Sequence, residues 1–521
     1  MAEQKTSGLY RWGVLGIIML GTFMAILDSS IVNVALPHMM AAFGVTRDKI
    51  EWVTTGFLLA SASAMPLVGW MTTRMGYKTL YLGSLFVFTV ASGLCALSWS
   101  FESLVFARVI QAFGAGAIQP VGMAIVAELF EPRERGKALG VWGTGIMVAP
   151  ALGPTLGGYL TDTFSWRSIF SVNLPIGAVT LIAGLIIMGR IYAKERNRKL
   201  DVWGYIFLTM ALVAGLTALS NGQDKGWNSD YIRICTAFTV VGFIMFLGIE
   251  SGIAHPLLDL KLFLQRNYSL SMVLTVFRSI GLFGSIFLFP IFLQNEMGFT
   301  TVQAGLRMMP GAIAVGATMP IAGRLADRYP PAILTVIGCV LTGVSLIYFG
   351  NLDPLSGLGM IVLPQIIRGM GLAMLMAPLL TAAINSVPNS EIPMASSFLN
   401  ISQNVGGAMG IALLNNFVTN QIQRHSVRIG SLLPAQSEAF NRFARDTSQI
   451  VVRHAPGIFV TPETKAAFAA VQAIMKKGAV MGFENGFVYA GIIMLCAVPL
   501  CLFLKSYPHH RRNNAPAKAA G

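Results

Sequence analysis

Asp28 lies deep inside an apolar run that begins at Trp12 and closes with the sequence AILDSSIVNVALP. A carboxylate in hydrocarbon costs about 2.5–3.5 kcal/mol on insertion scales, so its position needs a physical reason. One interpretation is a carboxylate that a partner neutralises permanently. The other, which we favour, is a site that binds and releases a proton, because other glutamates lie near the ends of such runs: Glu128, Glu250, Glu296 and Glu484.

Arg108 is the expected partner of Asp28. It lies about six residues into a run that is entered near Glu102, which places it roughly 9 Å deep, while Asp28 is roughly 13 Å below the same surface. Gln111 and Gln119 share the helix face of Arg108. Protonation of Asp28 would release Arg108 and deprotonation would re-form the pair, so the pair could act as a switch. A static structural pair is the alternative.

The stretch GTGIMVAPALGPTLGG (143–158) predicts a bent helix that packs closely on its neighbours. Glycines allow a neighbouring helix to approach, and prolines remove backbone donors and bend the helix. Such a helix could hinge or seal a cavity; ordinary packing of small residues is the alternative. The candidate hinge residues are Gly145, Pro150, Gly153, Pro154, Gly157 and Gly158.

Two loops share a glycine–arginine pattern and are candidates for a cytoplasmic gate. The first reads GWMTTRMGYKTL (69–80) and the second GRLADRYPPAIL (323–334). Asp327, beside Arg324 and Arg328, could pair across the two copies and lock an outward-open state, whereas Thr73 stands at the matching place in the first copy. The candidate gate residues are Gly69, Arg74, Gly76, Lys78, Gly323, Asp327 and Arg328.

Polar residues also interrupt apolar runs in the second part of the chain. Arg278 and Arg368 lie near mid-run with no acidic residue at their depth, so they serve either packing or an anionic substrate. Ser396, Asn400, Gln403 and Asn404 form a stripe that lines a cavity or bonds a neighbouring helix. The candidate cavity residues are Gln111, Gln119, Arg278, Arg368, Asn400, Gln403 and Asn404.

The elements that position these residues are membrane-spanning helices. The chain has 521 residues, of which 54% are hydrophobic and 12% charged, against about 25% charged in soluble proteins. Apolar stretches of spanning length recur and predict about fourteen spans. The net charge of +14 reflects basic residues in alternate short loops, which predicts two cytoplasmic termini and no nucleic-acid partner.

An internal repeat with a shift of about 254 residues predicts the architecture. Gly69 matches Gly323, and FARVIQAFGAGAIQP (106–120) matches IIRGMGLAMLMAP (366–378), which places Arg108 opposite Arg368. We predict an all-α membrane fold of two six-helix bundles plus two extra central helices, with substrate between the halves. The predicted parts are an N-terminal bundle (1–189), a two-helix insertion (190–260), a C-terminal bundle (261–505) with a long outer loop (420–483), and a cytoplasmic tail (506–521). Short amphipathic helices are expected in that loop around 437–452 and 463–475.

Catalytic and cofactor motifs are missing from the sequence. There is no GxxxxGK[ST] phosphate loop, HExxH, CxxC or GxSxG motif, and the five cysteines have no metal-ligand spacing. We therefore expect neither an enzyme nor a bound metal or cofactor, with transport driven by the proton gradient instead of ATP.

Several of these segments together resemble the fourteen-span drug:proton antiporters of the major facilitator superfamily, the EmrB/QacA type. The resemblance rests on LDSSIVNVALP (27–37), RVIQAFGAG (108–116), GPTLGG (153–158), WRSIFSVNLPIG (166–177) and HPLLDLKLF (255–263). It implies the major facilitator fold, proton coupling through Arg108, and an antiporter stretch that symporters generally lack. The sequence departs from the family pattern at Thr73, where an acid is usual, and at Ala112, where glycine is usual.

We therefore predict a proton-coupled multidrug exporter of hydrophobic compounds that works by alternating access in the bacterial inner membrane. Its partners would be membrane lipid, small hydrophobic substrates and protons. EmrB-like relatives work with a periplasmic adaptor and an outer-membrane channel, and loop 420–483 is the candidate contact. The alternatives are a dedicated exporter of one metabolite, fatty acid or siderophore, an importer or symporter, and a membrane-embedded enzyme or sensor.

Overall fold

The computed structural model describes residues 8–189, 200–253, 256–432 and 462–505. The first nine helices of this part of the chain are α1 (Gly8–Phe43), α2 (Arg47–Ile50), α3 (Trp52–Ala64), α4 (Leu67–Met75), α5 (Tyr77–Ala96), α6 (Phe101–Leu129), α7 (Arg135–Thr163), α8 (Ser168–Ser171) and α9 (Asn173–Ile187). We call these helices the first half. Two helices follow, α10 (Val202–Lys225) and α11 (Asp230–Gly252).

The second half follows a short 3₁₀ turn at Leu260–Leu264. It consists of α12 (Arg266–Ile291) with a π turn at Phe292–Glu296, α13 (Thr301–Arg328), α14 (Pro331–Phe349), α15 (Leu358–Asn385), α16 (Ile392–Leu432), α17 (Pro462–Cys496) and α18 (Val498–Leu502), with a 3₁₀ turn at Asn389–Glu391 before α16. No strand occurs within the described ranges. The predicted all-α membrane fold is confirmed.

Ten helices among the described residues are long and apolar enough to cross a membrane, and twelve are if each of two bent helix pairs forms one span. The helices α13 and α16 fall outside this set, and both are nonetheless long, at 28 and 41 residues. They pack within the bundle, α13 against α7 and α15, and α16 against α12 and α17. This arrangement is consistent with about fourteen spans.

Proline explains both bends. The helices α3 and α4 meet at 56° next to Pro66, which has no N–H to continue the hydrogen-bond ladder. The two parts of α7 meet at 44° between Pro150 and Leu152. Here Pro154 leaves the Pro150 carbonyl without its donor from the next turn. The stretch 143–158 therefore forms a bent helix, as its prolines predicted.

Helix packing joins the two halves along α7. It lies against α1 within the first half and against α13 in the second half. The helices α6 and α16 also pack across the halves, whereas α10 and α11 pack mainly on each other, with α10 also touching α3 and α16. The domain limits derived from the sequence stay predictions.

The region 420–483 differs from the expected outer loop. Helix α16 continues to Leu432, and α17 already begins at Pro462. The two helices pair beyond the expected span ends, where a Cβ on Gly478 would lie 2.3 Å from Ser426 Oγ. The predicted helix at 463–475 is the start of α17, and 437–452 lies outside the described residues. With 41 residues, α16 is roughly 60 Å long, about twice the hydrocarbon thickness.

Candidate functional site

Asp28 lies at the meeting point of α1, α6 and α9 and is 0% exposed. Its Oδ2 accepts a hydrogen bond from Arg108 Nη1 at 2.5 Å. Its Oδ1 accepts from Gln111 Nε2 at 3.1 Å and from Asn173 Nδ2 at 2.8 Å. Both carboxylate oxygens are therefore satisfied. We call Asp28, Arg108, Gln111 and Asn173 the Asp28 cluster.

Arg108 is held from several directions and is only 1% exposed. Its Nε donates to the Val53 carbonyl of α3 at 3.2 Å, and Nη1 also donates to Gln111 Oε1 at 2.7 Å. The guanidinium carbon lies 4.1 Å from the centre of the Phe57 ring and 5.6 Å from that of Phe170. Aromatic faces attract a cation, so these two rings stabilise the arginine in addition to its ion pair.

Local sequence explains how α6 presents Arg108. A capping box begins the helix, in which Ser100 and Ser103 each bond the backbone N–H of the other. This start sets the register of α6. Arg108 and Gln111 are then one turn apart on one face, and both reach the carboxylate on α1 as the shared face predicted.

Asn173 was not identified from the sequence. It is the first residue of α9 and is fully buried, and its Nδ2 also lies 3.0 Å from Ser92 Oγ. The available signal was a lone amide directly before the apolar run LPIGAVTLI, within the family-like segment 166–177. Through Asn173 the cluster also includes the sixth span.

The geometry restricts what the Asp28 carboxyl can do. Both of its oxygens accept N–H groups, one of them cationic. A proton on either oxygen would remove the negative charge that Arg108 neutralises, and a proton on Oδ1 would also meet the two N–H groups that this oxygen already accepts. Proton binding would therefore weaken the contact with Arg108. Removal of one member of a buried ion pair costs several kcal/mol, so protonation and side-chain rearrangement are coupled.

Helix α1 also contacts the bend of α7, through Ser30, which lies two residues after Asp28. Ser30 Oγ donates to the Pro150 carbonyl at 3.0 Å, which is the acceptor that Pro154 leaves without its helical donor. A Cβ on Gly153 would lie 2.4 Å from Ser30 Oγ, and one on Gly157 2.8 Å from Ile31. These predicted hinge residues thus contact the helix of Asp28.

The other two hinge glycines differ from each other. A Cβ on Gly145 would lie 2.9 Å from the side chain of Met19, so this glycine also serves close packing with α1. Nothing lies within 4 Å of the Cβ position of Gly158. Its missing side chain serves no close contact in this conformation, contrary to the expectation from its motif.

A small cavity lies between the two halves, with room for about one water molecule in this conformation. Three of the predicted cavity residues line it, namely Gln119, Asn400 and Gln403. The apolar lining was not identified from the sequence and consists of Met123, Trp142, Met376, Leu380 and Leu399. The lining thus combines three amide side chains with five apolar ones.

Four other predicted cavity residues are elsewhere. Gln111 belongs to the Asp28 cluster, and Asn404 donates to Met65 Sδ at 3.5 Å. Arg278 donates to Gln403 Oε1 at 2.8 Å, behind the cavity wall, and Arg368 donates to Ser285 Oγ at 2.6 Å. From the same stripe as Asn400, Ser396 bonds the Pro120 carbonyl of the first half at 2.9 Å. That stripe therefore both lines the cavity and joins the halves.

The halves meet closely where α7 begins, at Arg135, and α13 ends, at Arg328. We call this place the basic end. Asp327 accepts hydrogen bonds from the backbone N–H groups of Gly136 at 2.7 Å and Lys137 at 2.8 Å. Asp327 thus bonds across the two halves, and its partners are backbone donors of the first turn of α7, where the sequence suggested a pairing of charges. A carboxylate there satisfies free N–H groups and complements the helix dipole.

Glycines allow this close approach. A Cβ on Gly323 would lie 2.2 Å from the Gly136 carbonyl oxygen, and one on Gly140 would lie 2.6 Å from that of Met319. A Cβ on Gly69 would lie 3.3 Å from Met394, where α4 meets α16. The predicted gate glycines Gly69 and Gly323 thus each lie at a contact between the halves.

Arg135 adds a further contact between halves that was not identified from the sequence. Its Nη1 donates to Asn385 Oδ1 and its Nη2 to Asn389 Oδ1, both at 3.1 Å. In return, Asn385 Nδ2 donates to the Pro132 carbonyl at 3.2 Å. These side chains close the basic end together with Asp327.

The remaining gate candidates act within their own half. Lys78 donates to the carbonyls of Leu185 and Met188 at the end of α9, where a cation is favourable. Gly76 has φ +80° between α4 and α5, a region that favours glycine. Arg74 lies over the Trp70 ring. Thr73 bonds the Trp70 carbonyl and does not replace the missing acid, and Arg328 forms no ion pair with any described residue.

The sequence profile of the Major Facilitator Superfamily matches residues 18–411. The chain belongs to the Major Facilitator Superfamily. It is therefore a multi-pass membrane transporter and not an enzyme, and the resemblance found in the sequence motifs is confirmed. Within the described residues no group of three His, Cys, Asp or Glu side chains is placed to hold a metal ion.

Relatives within the superfamily match nearly the whole chain. The multidrug export protein EmrB of Escherichia coli is 31% identical over 489 residues, 93% of this chain and 94% of its own. The uncharacterized transporter YhcA of Bacillus subtilis is 30% identical over 94% of this chain and 92% of its own. A multidrug resistance protein B homolog of Mycobacterium tuberculosis is 32% identical over 81% of this chain and 78% of its own.

Solved structures of superfamily members share the fold. The proton:xylose symporter XylE matches with a TM-score of 0.58 over 94% of this chain and 96% of its own, at 13% identity. The human transporter MFSD10 matches with a TM-score of 0.56 over 93% of this chain and 99% of its own, also at 13% identity. At this identity the likeness applies to the fold alone.

Proposed function

We propose that this transporter exports hydrophobic and amphipathic compounds, including drugs, in exchange for protons. The observation that carries the proposal is the Asp28 cluster, in which a fully buried carboxylate is bonded by three side chains of two other helices. The names of the relatives, multidrug export protein and multidrug resistance protein B homolog, support efflux of drugs. The five apolar residues that line the cavity support hydrophobic cargo, which enters when the halves separate there.

The contacts suggest how a proton at Asp28 acts on the rest of the molecule. Protonation weakens the bond to Arg108, and α1 then moves relative to α6. Ser30 transmits this movement to the bend of α7 through the Pro150 carbonyl. The start of α7 is the part that Asp327 binds at the basic end. One helix therefore connects the proton site with the contact between halves, as alternating access requires.

The membrane orientation and the partners belong to the same proposal. We place the basic end and both termini in the cytoplasm, because basic loops stay inside, and the protein in a bacterial inner membrane. The paired ends of α16 and α17 then project on the outer side, where they are the contact for a periplasmic adaptor that continues to an outer-membrane channel.

Drug-dependent proton release from liposomes tests the proposed exchange. We expect Asp28→Asn to bind drug but to release no protons when drug is added, since it cannot ionise. Asp162→Asn is the matched control, because Asp162 is 69% exposed near the end of α7; it should behave as wild type. Proton release at the wild-type rate from Asp28→Asn would exclude Asp28 as the proton site.

A further inference from the structure

Two buried arginines in the second half have no acidic partner. Arg278 is 2% exposed and Arg368 is 6% exposed. No described acidic side chain forms an ion pair with either of them. Their hydrogen-bond partners are the neutral groups Gln403 and Ser285. A buried guanidinium stays charged, and an uncompensated buried charge is strongly unfavourable.

The internal repeat shows what is missing. In the first half Arg108 of α6 bonds Asp28 of α1. In the second half the matching residue Arg368 of α15 bonds α12, which is the counterpart of α1, but the acceptor there is Ser285. A hydroxyl accepts a hydrogen bond and does not neutralise the cation. The second half therefore has an arginine at the matching place, but no described carboxylate is bonded to it.

Donor groups beside Arg368 also lack partners. Its Nε makes no hydrogen bond, and neither atom of the Gln365 amide does, although Gln365 is completely buried. Gln365 is three residues before Arg368, so both side chains lie on one face of α15. Buried polar groups are nearly always paired in proteins. The Nε of Arg368 and the amide nitrogen of Gln365 are therefore two donors that the acceptor atoms of a ligand could bind.

Arg278 connects this place with the central cavity. Arg278 and Ser285 are seven residues apart on one face of α12, about 10 Å along the helix. Arg278 bonds Gln403, and Gln403 lines the cavity between the halves. Arg278 and Ser285, the partner of Arg368, therefore lie along one face of α12 that starts behind the cavity wall.

We propose that Arg368 binds the anionic group of a transported compound, with Gln365 and Ser285 as additional hydrogen-bond partners, and that Arg278 adds a second positive charge between this site and the cavity. The carboxylate of an amphipathic organic acid fits, because guanidinium groups bind carboxylates with charge-assisted hydrogen bonds. Its apolar part lies against the five apolar residues that line the cavity, once the halves separate there to admit it. This inference rests on the proposed export function and assigns organic anions as one substrate class.

A matched pair of probes tests the site: 1-naphthaleneacetate and its neutral amide, 1-naphthaleneacetamide. Binding to the full-length protein in detergent at neutral pH is measured by tryptophan fluorescence. We expect wild type to bind the acid about 10-fold more tightly than the amide or better. Arg278→Gln and Arg368→Gln should each lower that preference towards one, and Arg368→Lys should keep part of it. Arg233→Gln, which changes an exposed arginine in the first turn of α11, should bind both probes as wild type does.

The outcomes separate the alternatives. Equal affinity of wild type for the two probes, or an unchanged preference in both glutamine variants of intact helical content, overturns the proposal. A second result also overturns the proposal: wild type is more stable in chloride than in gluconate, both variants lose this difference, and wild type shows no preference for the acid. That result identifies an inorganic counter-ion. Proton release driven by a neutral drug in Arg368→Gln is independent of the anion site. Its persistence leaves the proposed exchange intact even where the anion site fails.

Discussion

At the scale of single residues, Asp28 is satisfied only by the combination of its donors. Arg108 supplies the charge, while Gln111 and Asn173 occupy the second oxygen. Asn173 is bonded to Ser92 as well, so the third and sixth spans also help to fix the carboxylate. Arg108 also bonds the Val53 carbonyl of the second span, so the cluster depends on five spans, and loss of a neutral member should weaken the contacts of the charged ones.

Substitution Asn173→Ala tests this dependence. It removes the donor to Asp28 Oδ1 and leaves a buried acceptor short of one bond, which costs about 1–3 kcal/mol. We expect lower thermal stability in detergent and slower drug-dependent proton release. Asn221→Ala is the control, since Asn221 bonds only a carbonyl of its own helix. Wild-type stability and proton release in Asn173→Ala would contradict the assigned contact.

At the scale of helices, α1 and α7 behave as one unit because a proline has opened a place for a serine. Pro154 cannot donate to the Pro150 carbonyl, and Ser30 supplies the missing hydrogen bond. The glycines of α7 then bring the two backbones together on either side of this bond. The bend is thus stabilised from outside the helix that carries it.

The hydroxyl of Ser30 can be tested against that of its neighbour. Ser30→Ala leaves the Pro150 carbonyl without a donor, which at about 1 kcal/mol corresponds to roughly fivefold in an equilibrium. We expect a slower drug-driven transport rate in proteoliposomes. Ser29→Ala should transport as wild type, because Ser29 bonds a carbonyl of its own helix. The same rate in both variants would argue against coupling through this bond.

Two glycines of α7 should respond in opposite ways to substitution by alanine. In Gly153→Ala the new methyl group would lie 2.4 Å from Ser30 Oγ, whereas in Gly158→Ala it meets nothing within 4 Å. We expect Gly153→Ala to lower the melting temperature and the transport rate, since overpacking costs about 1–3 kcal/mol. Gly158→Ala should change neither. Equal tolerance of both alanines would mean that α1 and α7 are further apart than described.

At the scale of the whole molecule, the halves are held together at the basic end by few polar contacts. Asp327 binds the first turn of α7, and Arg135 binds Asn385 and Asn389 of the second half. The surrounding glycines make a close interface that opens as a unit, because neither helix can separate without losing these bonds. Opening at this end is one half of an alternating-access cycle.

Substitution Asp327→Asn should shift the molecule towards the state that is open at the basic end. The amide keeps one acceptor and loses the charge, so about 1–3 kcal/mol of closing free energy is lost, or roughly tenfold in population. Spin labels at the exposed positions Met75 and Tyr329, one in each half, should report a larger fraction of long distances. Asp353→Asn, in an exposed turn, is the control. An unchanged distance distribution would refute the closing role of Asp327.

The sequence alone was sufficient for those features that depend on local pattern and on the cost of burying charge. Apolar runs of spanning length, the repeat of about 254 residues, and the prolines of α7 indicated the helices, the two-half plan and the bend. The penalty for a carboxylate in hydrocarbon singled out Asp28, and depth along the helices identified Arg108 as its partner.

Only the tertiary structure decided which groups meet across helices, because a contact between helices depends on rotation and crossing angle and leaves no local signature. It brought Asn173 to Asp28 and Ser30 to Pro150. It placed Asp327 at the start of α7, and it extended α16 and α17 into the expected loop. It also left Arg368 facing a serine where Arg108 faces an aspartate, since a repeat conserves the position of a helix more closely than the chemistry of its neighbours.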